Sequence, residues 1–274
     1  MSDNRPFGAY APSGLVQRIL QRTRAVSAGW LGRRMAFVLR RFAIRSLNGA
    51  PLDVETFGAR MRLYPYNNVC EKRILFTPQF FDPQELAILE SRIRDGFTFL
   101  DVGANVGGYA LFVAARAGAR ARILAVEPQP EIFDRLTFNI SQNPFGTVKA
   151  VALAVADKAG ELTLFLDERN KGESSVKIVG SSNADAIRVP ALPLLDLAQQ
   201  EGFTRLDAVK LDVEGAEDLI LDPFLRDAPE SMLPSLFIIE DGREQWQTDL
   251  DTLLTAKGYK LILQTRLNLL YERT

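Results

Sequence analysis

Along most of the chain, short apolar runs alternate with segments whose apolar positions recur at helical spacing. Phe97, Phe99, Leu100 and Val102 make a run short enough for a strand buried on both faces. It ends around Asp101 and enters a turn holding Gly103, Gly107 and Gly108. Ala110–Ala117 then reads as a helix packed on the sheet, and R-I-L-A-V-E-P as a second strand ending in Glu127. Pro130–Asn143 is helical, with Ile132, Phe133, Leu136 and Ile140 on the inner side, and Thr147–Leu153 and Glu161–Leu166 are strands. Leu206–Leu211 and Ser235–Ile239 are further buried strands, and Leu194–Glu201 and Leu250–Lys257 are helices. Gly258–Gln264 and Leu267–Glu272 close the chain as two strands. This alternation predicts an α/β fold built on a mostly parallel sheet.

The first fifty residues differ. Residues 1–12 read as loose, Ser13 as the cap of a helix running to about Val26, and Trp30–Ser46 as a second helix. In that helix Leu31, Met35, Val38, Leu39 and Phe42 share one face, with the arginines largely elsewhere. Residues 1–50 therefore form a basic helical extension, and residues 51–274 the main domain, with its core at 68–241. Leu52–Phe57 and Ala59–Tyr64 alternate around Gly58 as a hairpin, and Asp82-Pro83-Gln84-Glu85 has the form of a helix start with Asp82 as its cap. Asn170–Ala186, rich in Gly, Ser, Asn and Lys, reads as a loop, either a lid or a plain connection.

Charge sharpens the division. The extension carries nine arginines against one acid, a net +8, which leaves −9 for the rest of a chain whose total is −1. An Arg-rich amphipathic segment suits an anionic membrane surface or organelle targeting; the alternative is an arm packed on the acidic domain or on a second subunit. The near-zero total argues against a general nucleic-acid binder. A lone cysteine, Cys70, excludes an internal disulfide and fits a reducing, cytoplasmic setting. No apolar run approaches bilayer-spanning length. The chain has no histidine, which removes His-based triads, His-ligated metals and a His general base.

Four strands end in acid or run straight into it: Asp101, Glu127, Asp212 and Glu240. In a parallel sheet these ends share one edge, where open α/β folds bind nucleotides. Glu127 closes the second strand, where a carboxylate accepts hydrogen bonds from ribose hydroxyls, a position that serves NAD and S-adenosyl-L-methionine (SAM) alike. The glycines run G-x-x-x-G-G rather than the G-x-G-x-x-G that seats a pyrophosphate, and Asp101 would repel pyrophosphate while suiting a sulfonium. The balance favours SAM. With no histidine, Asp212 and Glu214 are the candidate bases for an alcohol acceptor, Lys210 can tune a neighbouring carboxylate, and each acid has a competing role in cofactor orientation or helix capping. Glu240 and Asp241 would line an acceptor pocket or, with Asp212, hold a divalent cation; no dedicated metal-ligand spacing supports the second role, so no metal ligand is assigned.

F-L-D-V-G-A-N-V-G (99–107), A-V-E-P (125–128), A-D-K-A-G (156–160), G-E-S-S (172–175) and V-K-L-D-V-E-G-A-E (209–217) occur in that order. Through them the chain resembles the FkbM family of SAM-dependent methyltransferases. The resemblance implies a class I, Rossmann-like, mostly parallel seven-stranded sheet with a C-terminal β-hairpin, preceded here by the helical extension. It implies that Asp101, Gly103, Ala104, Asn105 and Gly107 hold the methionine end of SAM. Glu127 would bind the ribose, Pro128 shape the turn beside it, and Ala156 and Asp157 meet the adenine. The activity implied is O-methylation of a hydroxyl on a sugar, glycolipid or secondary metabolite, with a small-molecule or glycan acceptor. An NAD-linked oxidoreductase and a non-catalytic SAM-binding subunit are the competing classes.

Overall fold

The computed structural model describes residues 5–166, 174–175 and 186–273, so most of the predicted Asn170–Ala186 loop lies outside it. Two helices, α1 (Gly14–Arg24) and α2 (Trp30–Ser46), precede a hairpin of β1 (Leu52–Thr56) and β2 (Ala59–Leu63). Helices α3 (Val69–Phe76) and α4 (Pro83–Arg92) lead into β3 (Thr98–Val102), α5 (Gly108–Ala114), β4 (Arg122–Val126), α6 (Pro130–Ser141) and β5 (Val148–Val151). A side sheet follows in β6 (Ala154–Val155), β7 (Gly160–Leu166), β8 (Ser174–Ser175) and β9 (Ala186–Leu192). The chain ends through α7 (Leu194–Gln200), β10 (Ala208–Leu211), α8 (Glu217–Asp227), β11 (Leu236–Glu240), α9 (Leu250–Ala256), β12 (Tyr259–Gln264) and β13 (Asn268–Arg273).

The main sheet runs β12-β13-β11-β10-β3-β4-β5. Every pairing is parallel except β13 with β11 and with β12, so β13 is inserted antiparallel between its neighbours. This is the expected class I arrangement. The central strands are mainly apolar because both faces are covered, with Asp101 and Lys210 as buried charged exceptions. Successive residues point to opposite sides: Phe97, Phe99, Ile123 and Ala125 join the cluster under α3, α5 and α6, while Leu100, Val102, Leu124 and Val126 join the one under α7, α8 and α9. At the far margin, the register of β12 shifts between Leu261 and Leu263.

Two expectations change, and the orientation of α2, left open by the sequence, is fixed. Residues 5–12 are not loose: the Gly8 and Tyr10 amides donate to Asp53 Oδ2, and the buried Arg62 guanidinium bridges Asp53 to the carbonyls of Arg5 and Pro6. Asp82 sits at the N-terminus of α4 in the left-handed region (φ 42°) and makes no cap hydrogen bond there. Its carboxylate instead receives Arg73 Nη2 at 2.6 Å and the Tyr109 hydroxyl at 3.1 Å, tying three elements together. Finally, α2 packs inward through small residues, Ala36 and Ala43, while Leu31, Met35, Val38 and Phe42 face out. A helix with bulky side chains on one face and small ones on another can bring its axis closer through the small face, and α1 supplies Ile19 and Leu20 to the shared core.

Candidate functional site

The C-terminal ends of β11, β10, β3 and β4 stand side by side, so Glu240, Asp212, Asp101 and Glu127 come from four adjacent strands. They border one cleft of about 920 Å³, also lined by Gly103, Ala104, Asn105, Pro128, Lys210 and Glu214. Of the candidates read from the sequence, Gly107, Ala156 and Asp157 fall outside this lining; Gly108 and Leu153–Val155 line it instead. Asp157 is exposed beside Lys158. Asp241 also turns away and pairs with Arg243 at 2.6 Å.

Backbone groups hold the acids in place. The Ala110 amide, in the first turn of α5, donates to Asp101 Oδ2 at 2.9 Å, while the buried Oδ1 has no partner. Glu127 accepts the Asn105 amide on Oε2 and the Gln129 amide on Oε1, both at 2.9 Å. Burial pushes Asp101 up to about 6 despite the opposing Lys210 charge, and Glu127 up to about 7 despite its two N–H donors. Both are held short of full ionisation and would gain from a cation or a hydroxyl donor in the cleft.

Asn105, left-handed at φ 49°, fixes the turn after β3. Its side-chain oxygen receives Asn68 Nδ2 at 2.8 Å and the Val106 amide at 2.9 Å. Asn68 in turn caps α3 by accepting the Glu71 amide. The sequence reading overlooked Asn68, although N-x-x-E at 68–71 is a helix-start pattern. The glycines prove to serve the protein's own packing. A Cβ on Gly103 (φ 75°) would lie 1.9 Å from the Asp212 carbonyl oxygen, and one on Gly107 (φ 93°) 2.9 Å from Leu136 Cδ1.

On the other side of the cleft, Lys210 Nζ contacts Asp212 Oδ2 at 2.8 Å and lies 5.0 Å from the Tyr109 ring centre. Burial works against its charge, but Asp212 and Asp101 outweigh it and raise the ammonium above the ordinary lysine range. Asp212, Glu214 and Glu240 each offer an oxygen within 4.8 Å of the others. Burial, then the charges of Asp212 and Glu214, push Glu240 up to about 9. The loop between them is pinned by Glu217, overlooked in the sequence reading. Its Oε1 accepts the Val213 and Gly215 amides, and its Oε2 accepts the Trp246 indole N–H at 2.8 Å. Glu214 itself is held left-handed at φ 59°, which leaves its amide donating to Glu240 Oε2. At the rim, Thr265 and Asn268 clasp Glu85 of α4, bringing Arg266 and Leu267 over the cleft.

The raised Glu240 value has a sign. A carboxyl that binds its proton more tightly when folded stabilises the fold below its unfolded value near 4.5, and that contribution fades as pH rises through about 9. The ligand-free protein should therefore lose melting temperature between pH 5 and pH 9. Glu240→Gln should remove part of that loss, recovering ~1–3 kcal/mol at the alkaline end. Scanning fluorimetry across this range checks it: parallel pH curves for parent and variant would contradict the assignment.

The carboxylates, the unpaired Asp101 oxygen and the hydroxyl-accepting Glu127 suit a cationic, ribose-bearing ligand. Comparison with known proteins agrees. The Methyltransferase FkbM domain matches residues 101–261. Methyltransferase sdnD of Sordaria araneosa is 28% identical, the match covering 58% of this chain and 80% of that protein. Hexuronic acid methyltransferase AglP of Haloferax volcanii is 28% identical over 43% of this chain, which spans 45% of AglP. Among solved structures, the METTL16 MTase domain shares the fold with a TM-score of 0.51 at 14% identity, covering 95% of this chain and 90% of that one.

Proposed function

Because this chain belongs to the FkbM methyltransferase family, with SAM as its cofactor, we propose that it methylates a hydroxyl on a sugar, glycolipid or secondary metabolite. The observation that carries the reading is the row of carboxylates on adjacent strand ends, with one of them, Asp212, paired to a buried lysine. The similarity to methyltransferase sdnD and to the hexuronic acid methyltransferase AglP supports methyl transfer, and AglP supports a sugar acid as one acceptor class.

When bound, SAM supplies an electrophilic methyl carbon on a positively charged sulfur. Asp101 and the Gly103–Asn105 turn hold its amino-acid end, with the free Asp101 oxygen available to an ammonium group. Glu127 receives the ribose hydroxyls, its carboxylate already oriented by two backbone amides. Pro128 shapes the turn beside it, and Leu153–Val155 border the neighbouring part of the cleft. Ala156 and Asp157 lie just beyond this lining, before β7, so Leu153–Val155 take over the place beside the adenine expected for those two residues. Asp212 takes the proton from the acceptor hydroxyl, and Lys210 keeps its carboxylate aimed. Glu240, with its pKa near 9, holds its own proton at neutral pH and so leaves base chemistry to Asp212 and Glu214. The extension and the main domain act as one unit, since α1 and β1 contribute to the same core.

Isothermal titration of SAM tests the cofactor site. The parent should bind SAM and ignore NADH, and Glu127→Gln should weaken SAM by about 10–100-fold through the loss of charge-assisted hydrogen bonds. Unchanged affinity in this variant would remove Glu127 from the site. SAM binding without methyl transfer to any tested hydroxyl compound would favour the non-catalytic class.

A further inference from the structure

We propose that the outer face of α1 and α2 is a docking surface for an anionic phospholipid bilayer. Leu31, Met35, Val38 and Phe42 are spaced i, i+4, i+7 and i+11, which places them in one stripe about 16 Å long. Their exposures are 73%, 48%, 45% and 57%, so the bulky face of an amphipathic helix is turned away from the protein. Leu15 of α1, 63% exposed, extends the stripe across a shallow groove that it shares with Phe42.

Arginines rim this stripe on both sides. Arg34, Arg41 and Arg45 flank it along α2, and Arg18 and Arg22 border the groove from α1. All five are exposed, and none has an acidic partner among the described residues. Beyond the arginine row, Trp30 and Phe37 are also exposed, with Arg34 stacked on the first and Arg41 on the second. An apolar band within a margin of guanidinium groups and aromatic rings matches the layered chemistry of a headgroup region: acyl chains below, phosphates at the level of the charges.

A second copy of the chain fits this face less well. A two-fold contact would set one arginine margin against another, an unfavourable arrangement for cations without acidic partners. The net +8 of the first fifty residues complements anionic lipid directly.

Flotation of the full chain with vesicles tests this independently of any methyl transfer. Protein should rise with vesicles of phosphatidylcholine plus phosphatidylglycerol, about tenfold less should rise with phosphatidylcholine alone, and added salt should weaken the association. Leu31→Glu combined with Phe42→Glu, and separately Arg34→Glu combined with Arg41→Glu, should each reduce flotation by about tenfold. Both should keep the parent's SAM affinity and melting temperature, showing that the fold and cofactor site are intact. The proposal is overturned if the parent stays unbound on anionic vesicles, or if both folded variants float like the parent. It is equally overturned if the parent does not float but forms a dimer that the Leu31/Phe42 variant abolishes, which would make a second copy the occupant.

Discussion

Gly103→Ala should unfold the cofactor site and lower the melting temperature by about 10 °C, corresponding to a loss of roughly 3–4 kcal/mol. Two terms add. The residue lies at φ 75°, which a side chain resists, and the new Cβ would sit 1.9 Å from the Asp212 carbonyl oxygen. Neither tip can retreat cheaply. Gly103 is tied by its amide to Val126 of β4, and Asp212 by its amide to Val102 of β3, so a shift at one strand end strains the next. SAM affinity should fall by more than about 100-fold, because the displaced groups include the base and the turn that receives the ligand. Gly146→Ala is the control: it has a similar φ of 66° but nothing within 4 Å, and should cost about 1 kcal/mol or less. Thermal unfolding and calorimetry of the two variants decide the matter. Equal, small losses would show that close approach of the strand ends does not govern stability.

Asp212→Asn should lower kcat by about 10²–10⁴-fold while changing SAM affinity by less than about threefold. The carboxamide keeps the shape and can still accept from Lys210, so the fold survives, but it cannot take a proton from an acceptor hydroxyl. Glu214→Gln should cost less, about tenfold, since the position of Glu214 is fixed through its backbone, whose amide donates to Glu240 Oε2 and is kept in the variant. Single-turnover transfer to an acceptor used by the parent separates these outcomes. Full activity in Asp212→Asn would transfer the base role to another group. A parallel loss of SAM affinity would instead make Asp212 part of the cofactor cradle.

The strands that build this site were legible because a central parallel strand needs no alternation: Phe99–Leu100 and Ile123–Val126 are apolar runs that meet an acid, and Val209 and Leu211 flank a single lysine before Asp212. Their order brought Asp101, Glu127, Asp212 and Glu240 together as expected. What escaped the reading depends on partners far away in sequence. Helix α3 has weak amphipathicity, and Asn68 matters through Asn105, thirty-seven positions on. Glu217 matters through Trp246, twenty-nine positions on. Gly103 lines the cleft as expected, but its close approach to the Asp212 backbone, 109 positions on, could not be read from the turn alone. The orientation of α2 stayed open because periodicity ranks faces by apolarity, while close helix packing here selected Ala36 and Ala43 by size.

The register shift in β12 has a consequence of its own. Among the described residues β12 pairs only with β13, so its other side offers unpaired amides and carbonyls beside exposed Leu261 and Ile262. An unbroken margin of that kind would template fibril-like growth. The irregularity between Leu261 and Leu263 throws those groups out of step, and the neighbouring Lys260 adds charge, so an incoming strand finds no continuous ladder to extend.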